Sequence, residues 1–291
     1  MADRIWRTAL PWRYGGEVGL VLDVARPRRP GLRVEVAGQG RFLLSQGGEP
    51  VLFAQVDSDR YGVTVRRTGR YRSPLPPARA DEGRRIAGPA RWAHRYADHL
   101  DGPDGPLHAG RWFLRAVSLP GYTWHEDLVD GWSREYLDWL GNGWNGVVPL
   151  RRLSDVDSSR VRAFRQRVVT GTLAPVLLWW ISGLDGYVLL DGHDRAVAAL
   201  AEGVTPPVLV LALGMSTQDQ AALSTTITDR HQQIVDALPP RGTPAADRQH
   251  EAVSRSYAYA AAELPTWTTR TRAWPLPGGV SAWDALAAAS D

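Results

Sequence analysis

The sequence predicts an α+β protein: a β-rich N-terminal domain, then an α/β module, then a helical C-terminal extension. Three observations carry this. Short Val- and Leu-rich runs punctuated by Gly, Pro and Asp fill the first 72 residues. From Gly146 to Leu213 the pattern becomes strand, helix, strand, hairpin strand, helix, strand. After Ser216 long stretches carry caps and end at prolines, as helices do. The 291 residues are 44% hydrophobic and 22% charged, a globular balance that can bury a sizeable core.

The β-rich part rests on residues 18–24, 32–36, 51–56 and 61–65, a meander of hairpins. Arg33, Glu35 and Ala37 alternate with Leu32, Val34 and Val36, which predicts one wet face. Residues 73–78, Ser-Pro-Leu-Pro-Pro-Ala, read as a linker, 89–100 as a helix and 111–118 as another strand. Trp132, Tyr136, Trp139 and Leu140 fall at helical spacing, predicting a short helix capped by Ser133 with an aromatic face. The implied organisation is a β-rich domain over 1–120, a Trp-rich connection over 121–146, the α/β module over 147–215 and the helical extension over 216–291.

Within the module, 147–150 is the first strand. Residues 158–169 form an amphipathic helix, with Asp157 or Ser158 as its N-cap. The apolar run 175–181 fits a strand covered on both faces. Gly183-Leu-Asp-Gly186 turns the chain into 187–190, and Gly192 turns it again into a helix from His193 that stops at Gly203. Pro206-Pro207 forbids continuation, and 208–213 closes as a strand. Ser216 or Thr217 caps a helix to about Ala237. A second runs from about Thr243 to Ala262, and a short last helix follows Ser281.

Composition excludes much chemistry. There is no cysteine, so disulfides, thiolate nucleophiles and Cys-based zinc sites are absent from this sequence. All 34 basic residues are arginine, which removes Schiff-base chemistry and the P-loop lysine. A bound phosphate must be held by Arg, His, backbone N–H groups or a metal. Net charge is +3, a mild basic excess. Thirteen tryptophans read first as core filling. No run is apolar enough for a membrane span, and the start lacks a secretory core, so a cytoplasmic location is expected.

The segment from Val148-Pro-Leu-Arg-Arg-Leu153 through Asp191-Gly-His-Asp-Arg195 to Pro207-Val-Leu-Val210 resembles the ParB/sulfiredoxin superfamily, over about a quarter of the chain. The Asp-Gly-His-x-Arg turn is most similar to that of the free-serine-kinase branch. The resemblance implies a turn that contacts nucleotide phosphates, with ATP or another nucleotide and Mg²⁺ as cofactors. Gly192, His193 and Arg195 would bind, Asp191, His193 and Asp194 would carry any catalysis, and Asp191 with Asp194 would hold the metal. Sulfiredoxins place a cysteine where this chain has His193, so their reaction is unavailable here.

The turn supports an anion site without the resemblance. Gly192 permits close approach of the backbone. The following helix offers unpaired N–H groups and its positive end. Arg195 has a fork matched to phosphate or carboxylate, and His193 can donate to an anion or move a proton. Asp194 is discordant: beside a phosphate a carboxylate is repelled by more than about 1 kcal/mol at 4 Å in a partly screened site. Three roles stay open for it: holding Mg²⁺ with Asp191, pairing with an arginine, or capping the helix. Asp155 and Asp157 sit roughly where kinase-type members of the superfamily draw a further acid, although an N-cap role for Asp157 or Ser158 is the favoured reading.

Other constellations are weaker. Trp124-His125-Glu126-Asp127 points its donors to different sides, and His94 and His99 miss the i, i+4 metal spacing. His231 and His250 lie on separate helices. Arg160, Arg162, Arg165 and Arg167 form a basic stripe that reads first as solvated surface. Two functions follow. One is binding of a nucleotide or other phosphorylated small molecule, extending to phosphotransfer or nucleotide hydrolysis. The other is a non-catalytic regulatory or DNA-associated protein using the module as scaffold or switch. DNA is the less favoured partner, since no basic recognition helix is evident. Oligomeric state is not encoded in any feature above.

Overall fold

The computed structural model describes residues 5–11, 17–25, 29–79, 81–124, 136–138, 146–264 and 268–290. The chain divides into two compact units, residues 1–212 with 270–291, and residues 213–269. Among the described residues the architecture is mixed α/β, with two sheets and seven α-helices.

In chain order the larger unit begins with β1 (Ile5–Pro11), β2 (Glu17–Val24), β3 (Leu32–Gly38), β4 (Arg41–Gln46), β5 (Glu49–Asp57) and β6 (Gly62–Arg67). The short α1 (Glu82–Arg85) and α2 (Pro89–Leu100) follow, then β7 (Gly110–Val117), β8 (Tyr136–Asp138) and β9 (Val147–Pro149). Next come α3 (Ser159–Val169), β10 (Val176–Ile181), β11 (Gly186–Asp191), α4 (His193–Ala201) and β12 (Val208–Leu213). After α5 (Thr217–Asp236) and α6 (Pro244–Glu263) of the smaller unit, β13 (Ala273–Pro275) and α7 (Gly279–Ala288) return to the larger one.

One sheet runs β1-β2-β7-β12-β10-β11-β9, the other β13-β3-β4-β5-β6-β8. The first therefore joins early strands to those of the 147–213 segment. Its centre is dry: Trp112, Leu114, Leu177, Leu189 and Leu211 are all essentially inaccessible. That burial on both faces is why β10 and β12 read as unbroken apolar runs. On the second sheet, α7 packs against β3 and β4. Trp283 of α7 stacks edge-on against Phe53 at 5.3 Å and donates to the Phe42 carbonyl.

Between Val147 and Leu213 the elements fall within a residue or two of their sequence-derived limits. Ser158 caps α3 by accepting from the Val161 N–H, and Gly203 takes the left-handed conformation just past α4. Two expectations are corrected. Tyr136 is not helical: Tyr136–Asp138 pairs with β6, Leu137 buried opposite Val63, and three residues are too few to display a period of two. Trp132, Trp139 and Leu140 lie outside the described residues. The wet face of β3 is also absent. Glu35 is buried between Arg29 and Arg33, whose guanidinium groups neutralise it at 2.5 and 2.9 Å, while Val36 is exposed.

The smaller unit is a helical hairpin of α5 and α6. It is closed at its base by a bridge between Gly214 and Thr268 and by the Thr269 N–H to the Leu213 carbonyl. His231 and Tyr257 stack across it at 4.4 Å.

Candidate functional site

The turn of interest lies where β11 ends and α4 begins. Gly192 sits there at φ 93° and ψ 28°, a left-handed conformation that an L side chain resists. A Cβ at this position would stand 2.7 Å from Nη2 and 2.8 Å from Nε of Arg195, so the guanidinium lies directly beneath the backbone. Two demands, backbone sign and close approach, thus fall on one residue.

Arg195 points inward. Its side chain is 5% exposed and donates through Nη2 to Asp191 Oδ2 at 2.5 Å. The Tyr96 hydroxyl, pushed up to about 12 chiefly by burial, also meets this guanidinium and donates to the Pro175 carbonyl. The other oxygen of Asp191 accepts from Ser73 Oγ at 2.7 Å, and the adjacent Leu190 carbonyl accepts from the Tyr71 hydroxyl at 2.7 Å. Arg195 therefore locks the turn from within, and its Nη2 is committed to Asp191.

His193 is buried as well. Its Nε2 accepts the Arg151 N–H at 3.1 Å, so the neutral ring carries its proton on Nδ1. Burial, then Arg151, Arg67 and Arg195, hold the imidazole well below its ordinary value. Parallel pairing of β9 with β11, Tyr187 opposite Val147 and Leu189 opposite Pro149, brings Arg151 level with the turn. Asp194 accepts from Ser154 Oγ at 2.8 Å through Oδ1 and from Arg160 Nε at 2.7 Å through Oδ2. Of the three roles open to Asp194, pairing with an arginine is the arrangement found.

These residues enclose a narrow cleft of about 50 Å³, walled also by Pro77, Ala78 and Phe164. At roughly 10–15 Å³ per water it has room for about three to five waters, the bulk of one phosphoryl or carboxylate group. Whole-ligand pockets run to about 300–1,000 Å³, so a complete nucleotide does not fit inside it. The donor set does not fit Mg²⁺ either. All four oxygens of Asp191 and Asp194 have protein partners, two of them guanidinium groups, and no cluster of three His, Asp or Glu suited to a metal occurs among the described residues.

The cleft nevertheless suits an anion. The N–H groups of the first turn of α4 have no intrahelical acceptor. The guanidinium of Arg151 has no acid partner among the described residues, and Arg160 is exposed beyond its Nε contact. Two buried nitrogens of cleft-lining residues, His193 Nδ1 and Arg195 Nε, lack a hydrogen-bond partner among the described residues. Buried donors are normally satisfied, and an acceptor arriving from outside would satisfy these.

Sequence reasoning found the turn but missed its supports. Ser73 came from the stretch read as a linker, and Tyr71, Tyr96 and Ser154 carried no local signal. The Asp191–Arg195 pair did carry one, since opposite charges four apart face each other once a helix starts between them. Asp155 and Asp157 do not line the cleft; Asp155 caps its own turn by accepting the Asp157 N–H. His94 and His99 do not line it, and His125, Glu126 and Asp127 are outside the described residues. No protein-family model, curated protein or solved structure matches this chain.

Proposed function

We propose that this chain binds a phosphorylated small molecule, a nucleotide among the candidates, through the turn from Asp191 to Arg195, and that it does so as a binding or switch module rather than a phosphotransferase. The observation that carries this is the pair of unpartnered buried donors, His193 Nδ1 and Arg195 Nε, in residues that share a small cleft with Arg151, Arg160 and the start of α4. One phosphoryl group would occupy the cleft, and the rest of the molecule would lie outside it. The resemblance to ParB/sulfiredoxin proteins, in which this turn meets phosphates, points the same way.

The preference for binding over catalysis follows from the partners already engaged. A general base needs an acceptor free to take a proton; the Nε2 of His193 is occupied, and every oxygen of Asp191 and Asp194 already holds one donor, two of the four being guanidinium groups. Arg195 holds the turn through Nη2, so contact with the phosphoryl group falls to its free Nε and to His193 Nδ1, together with Arg151, Arg160 and the backbone N–H groups.

Titration calorimetry with ATP, CTP, ADP and inorganic phosphate tests this. Saturable binding is expected for at least one of them without Mg²⁺. Arg151→Ala should weaken it by about tenfold, the scale of one charge-assisted hydrogen bond, and rising salt should weaken it further. Heat-free titrations with all four ligands would sink the reading.

A further inference from the structure

A second and larger cavity of about 510 Å³ opens where α3 and α4 end, away from the turn. That volume lies in the range of small-molecule sites. Its wall is mostly apolar. Trp92 of α2, Val168 of α3, Leu173 and Val204 contribute to it, and among the described residues the single charged side chain on it is Arg84 of α1.

The electrostatics are one-sided. Asp81 is paired with Arg85 at 2.9 Å. Glu82 is engaged by the Arg95 guanidinium at 2.9 Å and by the Arg79 N–H at 2.7 Å. The acids nearest in sequence are thus taken, and among the described residues no acid lines the cavity and Arg84 has no acid partner. The rim is also a built feature. A Cβ on Gly83 would stand 2.2 Å from the Thr172 carbonyl, so glycine is what lets α1 seat against the loop after α3 and carry Arg84 over the opening. An open cavity with an apolar floor at Trp92, Val168 and Leu173 and an exposed guanidinium at its edge complements a ligand with an apolar body and one negative charge.

We propose that this cavity binds a medium-chain carboxylic acid, its chain against Trp92, Val168 and Leu173 and its carboxylate on Arg84. The inference does not depend on the phosphate reading of the turn, since the two sites share no lining residue.

Titration calorimetry of the full chain with octanoate, 1-octanol and octylammonium tests it. Octanoate should bind saturably at one site, and octylammonium at least about tenfold more weakly, because the guanidinium repels it. Val204 is 44% exposed at the rim, so Val204→Trp is compatible with folding. The indole should fill the opening and weaken octanoate by about tenfold or more. Arg84→Gln, also at an exposed position, should weaken octanoate by about fivefold and leave octanol unchanged, as expected for one partly exposed ion pair. Circular dichroism of both variants verifies the fold. The proposal is overturned if octanoate does not bind the wild-type chain, if both folded variants bind it as well as wild type, or if octylammonium binds equally tightly.

Discussion

Arg195→Ala should destabilise the larger unit by about 3 kcal/mol, the largest single effect expected at the turn. Removing one partner of a buried ion pair costs about 3–5 kcal/mol because the other charge is left uncompensated. The lower end applies here: Asp191 is 21% exposed and keeps its bond from Ser73. The Tyr96 hydroxyl loses a neighbour as well. Arg195→Lys should recover only part of the loss, since an ammonium cannot hold the same forked geometry towards Asp191 and Tyr96. Urea denaturation gives the measurement, read as a fall in midpoint at unchanged slope. A double-mutant cycle with Asp191→Asn should show that the two effects are not additive. If Arg195→Ala unfolds within about 0.5 kcal/mol of wild type, in the range of an ordinary surface change, the guanidinium is not buried against Asp191.

His193 gives the second large effect, through pH. In the folded chain burial and the charges of Arg151, Arg67 and Arg195 hold the imidazole well below 6.5, while in the unfolded chain it titrates near that value. Above pH 6.5 both states are neutral there and His193 adds no pH dependence. As pH falls below 6.5 the unfolded chain takes up a proton that the folded chain refuses. Stability is then lost at up to about 1.4 kcal/mol per pH unit, until the folded value is reached. His193→Gln offers a neutral acceptor to the Arg151 N–H and does not titrate, so it should remove this component. Urea midpoints of both proteins from pH 7.5 to 5 should diverge below 6.5, with wild type falling more steeply. Parallel curves would show that His193 is exposed enough to protonate in place.

The elements between Val147 and Leu213 were legible because each carried its own punctuation. Ser158, Gly183 with Gly186, Gly192, Gly203 and the prolines at 206 and 207 mark ends, and the apolar runs between them match buried strands. The wider sheet was not legible. Strands β1, β2 and β7 reach it from positions far away in the chain, and strand order is a non-local property that no run of residues encodes. Site chemistry divided in the same way. The positive end of α4 and the need for Gly192 follow from local rules. The direction of Arg195 depends on Tyr96, supplied by a helix about a hundred residues earlier, and on Ser73 fixing the other oxygen of Asp191. An arginine in the first turn of a helix reads equally as an outward ligand or an inward lock until those partners are placed. Asp194 was discordant only while Arg160 and Ser154 were unseen; with both beside it, its charge is met before any guest arrives.

Amide chemical shifts during a titration with inorganic phosphate address the turn most directly. Shifts should saturate together at the backbone N–H groups of His193, Asp194 and Arg195, and at the side chain of Arg151, with residues around the Arg84 cavity unmoved. Saturating shifts elsewhere with those amides unchanged, or no saturable shift at all, would contradict an anion site at the start of α4.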